Sequence, residues 1–420
     1  VRVSERGVAL TFALVTALGA SSVRADGGAR AAPTGQVGPL APPLQAPPPP
    51  PISDEAILGT PGALRLESIL TRYTVFDQNG QGWQSRQSTA TSPGSEALAV
   101  YEPQIVAVFR QGDAWRHQVS IPVDLVTAAS PVVPGPRPDV ISAASETNQA
   151  GAVDEVSTYK SSPETTLSVH SNVHIERMFR SWGVGGGWAR SFLDGDATVG
   201  LTLNQVNDWF DAYNVFGTRY GHQNRSTSNG NLAFTRVLSP TTIGEVNYGF
   251  TLQTGELGNT WSSVPLVGGG RTTETFPDLR ERHALVGRLA QYLPWSGALH
   301  LFARGYADDW GIYAITGEVE LMQRLTPWFY LQGSYRVHRQ TGVSFFTTLL
   351  RDPTATPATA DSDLQELTAQ SVGMKLAADI PLARGLFDAR STHFDIGLTR
   401  YFRDNDLTVW VFTCASGLNF

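Results

Sequence analysis

Between residues 297 and 343 most side chains able to hold or pass a charge fall on one parity. His300, Arg304, Asp308, Thr316, Glu318, Glu320, Arg324, Arg336 and His338 are all even-numbered. Successive side chains of an extended strand point to opposite faces, so these residues would share one surface. A hairpin centred near Trp310-Gly311 sets Arg304 opposite Thr316 or Glu318, and a turn at Thr326-Pro327 brings Glu318 close to Arg336. The outcome is a cross-strand Arg, Glu, Arg ladder. Such a ladder has two uses. It can brace a wide sheet, each opposite-charge pair contributing roughly 0.2 to 1 kcal/mol, or it can form a charged constriction that selects solutes.

Other clusters are poorer in chemistry. His170 and His174 share a face, but four residues of strand separate them by about 13 Å, too far for one zinc ion with ~2 Å bonds. Two histidines on a polar wall is the simpler reading. Asp308 and Asp309, or Asp404 and Asp406, could offer oxygens to a calcium ion, although solvated turn residues look the same in sequence. Gly183, Gly185, Gly186 and Gly187 read as kinks in a strand rather than a phosphate loop, because no Lys follows and no helix begins there. No haem-attachment pair, Walker loop or nucleophile elbow occurs. No catalytic residue, metal site or cofactor is therefore expected.

The elements that would carry these residues alternate with period two. In ETTLSVHSNVHIERM, Leu167, Val169, Val173 and Ile175 oppose Ser168, His170, Asn172, His174 and Glu176. In DAWRHQVSIPVDLV, Trp115, Val119, Ile121, Val123 and Leu125 oppose Arg116, Gln118, Ser120 and Asp124. GEVNYGFTLQ and WFYLQGSYRVHRQ repeat the pattern. Sixteen strands are predicted, near 62–77, 97–111, 114–127, 151–161, 164–177, 179–192, 196–210, 227–239, 241–256, 278–293, 297–310, 312–325, 328–343, 365–381, 390–404 and 407–420. Most run roughly 12 to 16 residues, where soluble sheets favour ~5 to 6.

The connections sort by parity. Loops 78–96, 128–150, 211–226, 257–277 and 344–364 fall at one end, and tight turns such as Gly112-Asp113, Asp194-Gly195 and Pro240-Thr241 at the other, with a slightly longer link at 382–389. Long, two-faced strands in even number with this loop asymmetry predict an all-β, antiparallel transmembrane β-barrel. Tryptophans such as Trp115, Trp188, Trp209, Trp295, Trp310, Trp328 and Trp410 fall near strand ends, as interfacial girdles require. Cys414 shares the parity of Trp410 and Phe412, which places it toward lipid.

Composition agrees. Of 420 residues, 41% are hydrophobic and only 16% charged, against ~25% in a typical soluble domain. A net charge of −7 disfavours a nucleic-acid partner, which needs a basic stripe. Arg2 and Arg6 precede the apolar run Gly7 to Ala20, so residues 1–25 read as a signal peptide. The absence of a cysteine near the cleavage site argues against a lipid anchor. Residues 26–61 read as a Pro-rich periplasmic linker, with nine prolines between 26 and 53, and the barrel as residues 62–420.

The stretch 281–346 resembles the core of a family of proteobacterial outer-membrane barrels known only as a domain of unknown function. The pieces that carry the likeness are Arg282-His283-Ala284-Leu285, Tyr292-Leu293-Pro294, Asp308 with Trp310-Gly311-Ile312, Glu318, Glu320-Leu321 with Gln323-Arg324-Leu325, and Tyr335-Arg336 with Gln340 and Phe345-Phe346. At Ile315 the resemblance implies a more polar residue. It implies a barrel in the outer membrane of a Gram-negative bacterium, embedded in lipid, and no settled activity. Terminal Phe420 resembles the signal that the outer-membrane assembly machinery reads. Three functions stay open: a porin-like channel for small solutes or ions, a structural barrel recruiting a periplasmic protein through the Pro-rich arm, and an outer-membrane hydrolase.

Overall fold

The computed structural model describes residues 62–83, 88–89, 91–128, 148–176, 179–213, 219–258, 262–382 and 389–420. The expected signal peptide 1–25, the expected Pro-rich linker 26–61 and residues 129–147 of the expected loop 128–150 lie outside the described residues.

Sixteen long strands close into one antiparallel barrel. They are β1 Leu64–Asn79, β2 Leu98–Gln111, β3 Trp115–Ala128, β4 Asn148–Lys160, β5 Thr165–Glu176, β6 Phe179–Phe192, β7 Ala197–Tyr213 and β8 Arg219–Ser239. The second half is β9 Thr242–Gly255, β10 Leu279–Leu293, β11 Gly297–Asp308, β12 Tyr313–Thr326, β13 Phe329–Gln340, β14 Leu367–Pro381, β15 Ser391–Arg403 and β16 Thr408–Asn419. Each strand pairs with its sequence neighbours, and the seam closes where β1 pairs β16 from Ser68↔Asn419 to Asn79↔Thr408. Phe420 N–H donates to Glu67 O at 2.8 Å, carrying that seam one residue past the last strand.

Parity decides which side chains meet lipid. Leu285, Val319, Leu321, Val372, Met374, Ile396 and Leu398 all point outward and are exposed. So is Ile315, at 68%, which explains an apolar residue where a polar one was implied. Outward exposure of large apolar side chains on strand after strand is unfavourable in water and correct in hydrocarbon. Trp115, Trp295, Trp328, Trp182, Trp209 and Trp410 are exposed near the strand ends. Trp310 departs from that girdle: it is 5% exposed, packed on Ile312 and Val343 with Phe276 and Phe345 at the barrel mouth.

One sequence expectation changes. Residues 211–226 are mostly strand rather than loop, since β7 runs to Tyr213 and β8 begins at Arg219. The apolar alternation fades there because both faces are polar, and ion pairs replace it: Arg225 Nε donates to Asp208 Oδ2 at 2.8 Å, and Arg219 Nη2 to Asp211 Oδ1 at 2.8 Å. The glycines of β6 lie in a strand whose registers with both neighbours run without a shift. The strand is continuous, and Gly183 and Gly185 face inward under the side-chain amides of Asn172 and Asn204, where any Cβ would collide.

An arginine on the lipid face near the bilayer midplane costs about 2 to 4 kcal/mol. Ile396→Arg is expected to lower the unfolding free energy of the barrel in liposomes by about that amount, and Ile396→Leu by under ~1.5 kcal/mol. Denaturant titration followed by Trp fluorescence measures both.

Candidate functional site: the lumen and its outer mouth

Inward parity assembles a charged lumen wall. Glu318 on β12 stands opposite Arg336 on β13, and Arg336 Nη1 donates to Glu318 Oε2 at 3.0 Å. Arg304 on β11 stands opposite Thr316 and lays its guanidinium over the Tyr306 ring at 5.2 Å. Of the expected Arg, Glu, Arg ladder, the Glu318–Arg336 rung is formed, and Arg304 lies on the neighbouring strand. His300 Nδ1 lies 2.8 Å from Glu320 Oε1, and His338 Nδ1 lies 2.8 Å from Thr316 Oγ1. Arg324 faces Tyr330 beside the periplasmic turn, away from these pairs.

Asp308 sits at the opposite end, near the outer rim. Its carboxylate accepts from the Arg280 guanidinium, from Tyr306 Oη at 2.9 Å and from Ile312 N–H at 2.8 Å. Asp309 Oδ1 accepts Glu281 N–H at 2.9 Å and Asp404 Oδ2 accepts Thr368 N–H at 2.8 Å, so each holds backbone. His170 bonds Ser168 at 2.9 Å while His174 lies 3.7 Å from Glu176; the two are not brought together.

Sequence reading missed a second charged patch, on β14 and β15. Lys375 lies 3.3 Å from Asp395, and the His393 ring bridges Asp379 at 2.6 Å and Asp395 at 3.0 Å. The signal was present: Lys375, Asp379, His393 and Asp395 are all odd-numbered across the 382–389 link.

The outer mouth was not legible at all. In the strand circuit, the β1–β2 and β9–β10 connections are diametrically opposed, eight strands apart either way round, and the β13–β14 connection lies midway along one arc. A sixteen-strand barrel is roughly 30 Å across between backbones. Yet these three connections meet. From the β9–β10 loop, Arg271 Nη1 donates to Ser88 O at 3.0 Å and to Ser88 Oγ at 2.6 Å, and Nη2 to Trp83 O at 2.7 Å. Both acceptors belong to the β1–β2 loop, so one guanidinium joins opposite sides of the barrel. Its Nε and Nη2 also donate to Ser263 Oγ and O, each at 2.7 Å.

The β13–β14 loop joins both. Thr359 Oγ1 and Ala360 N–H donate to Glu274 Oε1, each at 2.9 Å, and Ser362 Oγ donates to Glu96 at 3.1 Å. Backbone bonds Leu350 N–H to Pro265 O at 2.8 Å and Thr275 N–H to Ala358 O at 3.0 Å lace the second and third loops together. Val264, Thr359 and Ala360 are 0% exposed, so the knot has a dry centre. It also covers inward apolar residues at the rim: Leu367, Ala369, Tyr401, Val409 and Val411, with Phe76 against them, are buried although they face the lumen.

Four carboxylates converge in this knot. Asp363 pairs with Arg403, and Asp361, Glu96 and Glu274 lie around it. Burial, and next the Asp363 charge, push the Glu96 carboxyl up to about 7. Burial likewise raises Asp361 well above the usual carboxylate range, with Asp363, Glu274 and Glu96 adding to it.

An even-numbered antiparallel barrel, apolar outside and charged within, is a transmembrane β-barrel of the bacterial outer-membrane class. Residues 148–407 match the family described as "Protein of unknown function (DUF3570)", and the chain belongs to that family. No curated protein matches the sequence. Among solved structures, the chain is similar to a "Bacterial polysaccharide outer membrane secretin", at 9% identity over 84% of this chain and 98% of that one, with a TM-score of 0.44. It is also similar to a BenF-like porin from Pseudomonas fluorescens Pf-5, at 10% identity over 84% and 99% with a TM-score of 0.42. Pseudomonas aeruginosa OccK2 (OpdF), solved in complex with glucuronate, is 9% identical over 84% and 96%, with a TM-score of 0.39.

Hydrogen bonds to a charged group contribute about 1.5 to 3 kcal/mol each, so Arg271 is the strongest single tie across the mouth. Arg271→Ala is expected to expose the outer loops to proteinase K while leaving the barrel heat-modifiable on gels. Unchanged cleavage of the folded protein would show that the loops do not depend on this residue.

Proposed function

We propose that this protein is a porin-like channel of the outer membrane that passes small solutes or ions through a charged lumen, with a lid of three outer loops across its mouth. The observation that carries this reading is the combination of strand number and lumen chemistry. Sixteen strands enclose more volume than inward side chains fill, and the wall between the mouth and the periplasmic turns is lined by Glu318–Arg336, His300–Glu320 and Lys375–Asp395. Charges on a lumen wall interact with ions in transit more strongly than with bulk water, and opposite charges side by side keep the wall permeable to both signs.

His300, Arg304, Glu318, Glu320, Arg336 and His338 form the selecting stretch in this reading, with Asp308 bracing the rim and Arg324 at the periplasmic exit. Lipid surrounds the apolar exterior. Phe420, whose backbone extends the β1–β16 seam, is the residue we assign to recognition by the assembly machinery. A periplasmic partner for the Pro-rich arm rests on that segment's composition alone.

The test is conductance of refolded protein in a planar bilayer, with a salt gradient to report selectivity. A unit charge ~8 Å from a permeant ion in water is worth about 0.5 kcal/mol, roughly a twofold change in permeability ratio. Arg336→Gln is expected to shift the channel toward cations by about that factor and Glu318→Gln toward anions. A correctly folded barrel that never conducts, with or without its lid fastened by Arg271, would overturn the channel reading.

A further inference from the structure

The knot across the mouth is chemically unbalanced. Glu96 comes from the β1–β2 loop, Glu274 from the β9–β10 loop, and Asp361 and Asp363 from the β13–β14 loop. The base that faces them is Arg403 at the top of β15, already paired with Asp363 and hydrogen-bonded through Nε to Tyr401 Oη at 2.6 Å. The Arg336 charge also acts on Tyr401, more weakly than that of Arg403. Ser362 Oγ donates to Glu96, and Thr359 Oγ1 and Ala360 N–H donate to Glu274. Gly82 lies directly against the Glu96 carboxylate, where a Cβ would displace it.

We propose that the lid is a proton-operated latch, in which Glu96 and Asp361 hold the three outer loops together while protonated and release them when both ionise. This rests on the channel reading only for its consequence, opening of the mouth; the loop movement itself does not require that the barrel conduct.

Separated loops would return both acids to water and to the ordinary carboxylate range near ~4. In the closed knot Glu96 is raised to about 7, and Asp361 is raised as well. The closed form therefore binds protons more tightly. Its advantage is complete below the ordinary carboxylate range and disappears as pH rises through about 7. Glu96 alone would shift the ratio of closed to open by on the order of a hundredfold across that window. Arg403 works against the effect, since its charge favours ionised Glu96, but its pairing with Asp363 leaves the other acids facing one another.

The experiment places spin labels on exposed positions of two loops, Thr91→Cys and Ala355→Cys, in a Cys414→Ala background of the full chain in nanodiscs. Distances measured by pulsed electron resonance between pH 5 and pH 9 should be narrow and short at acid pH, and broad and long above about 7. With Glu96→Gln and Asp361→Asn added, which keep shape and hydrogen bonding but cannot ionise, the short distance should persist at every pH. A wild-type distance that does not change with pH overturns the latch, as does the same change in the doubly substituted protein. Conductance of the same variants in planar bilayers at the same pH values separates the two readings. Loops that part without any current uphold the latch and remove the channel, whereas current with immobile loops does the reverse.

Discussion

Hydrocarbon offers no partner to a backbone N–H or C=O, and everything else in this molecule follows from that. A sheet crossing it can leave no edge, so β1 must find β16 although the paired residues Ser68 and Asn419 lie 351 positions apart in sequence. Once the seam is closed, strand parity ceases to be a local property. Every outward residue faces lipid and every inward one faces a shared lumen, and a side chain's chemistry has to suit one of those two solvents.

Closing sixteen strands creates an interior that side chains cannot fill. The protein answers in two ways at two depths. Lower in the barrel, charges brace each other in neighbouring pairs along the wall, as Glu318 does with Arg336 and Asp395 with Lys375 and His393. At the outer rim the wall turns apolar, with Leu367, Tyr401 and Val409 facing inward, and loops descend to cover it. Apolar residues on a luminal parity are tenable only if something keeps them dry, so the rim and the lid require each other.

The lid is held by polar ties beside the apolar cluster of Trp310, Phe276 and Phe345. Arg271 reaches across the mouth, and four carboxylates gather near Arg403. Ties of this kind are specific in direction and sensitive to proton and charge balance, whereas the hydrogen-bonded wall that surrounds them is neither. A rigid frame and a conditional closure thus come from the same chain by using different interactions.

The strand order, the inward and outward faces, the short periplasmic turns and the pairing of Glu318 with Arg336 were legible in the residues alone. All of these depend on period-two alternation and on neighbouring strands, which are local in sequence. The patch of Lys375, Asp379, His393 and Asp395 was legible by the same rule and went unread. Legibility failed for residues 211–226, where both faces are polar and alternation carries no signal, and for Trp310, whose place near a strand end suits a girdle as well as a buried mouth. It failed entirely for the lid. Which of three loops meet, and that Glu96, Glu274, Asp361 and Asp363 share one buried space, depends on barrel closure bringing together connections that lie far apart along the chain. No local pattern encodes that encounter, because it exists only once the circumference is complete.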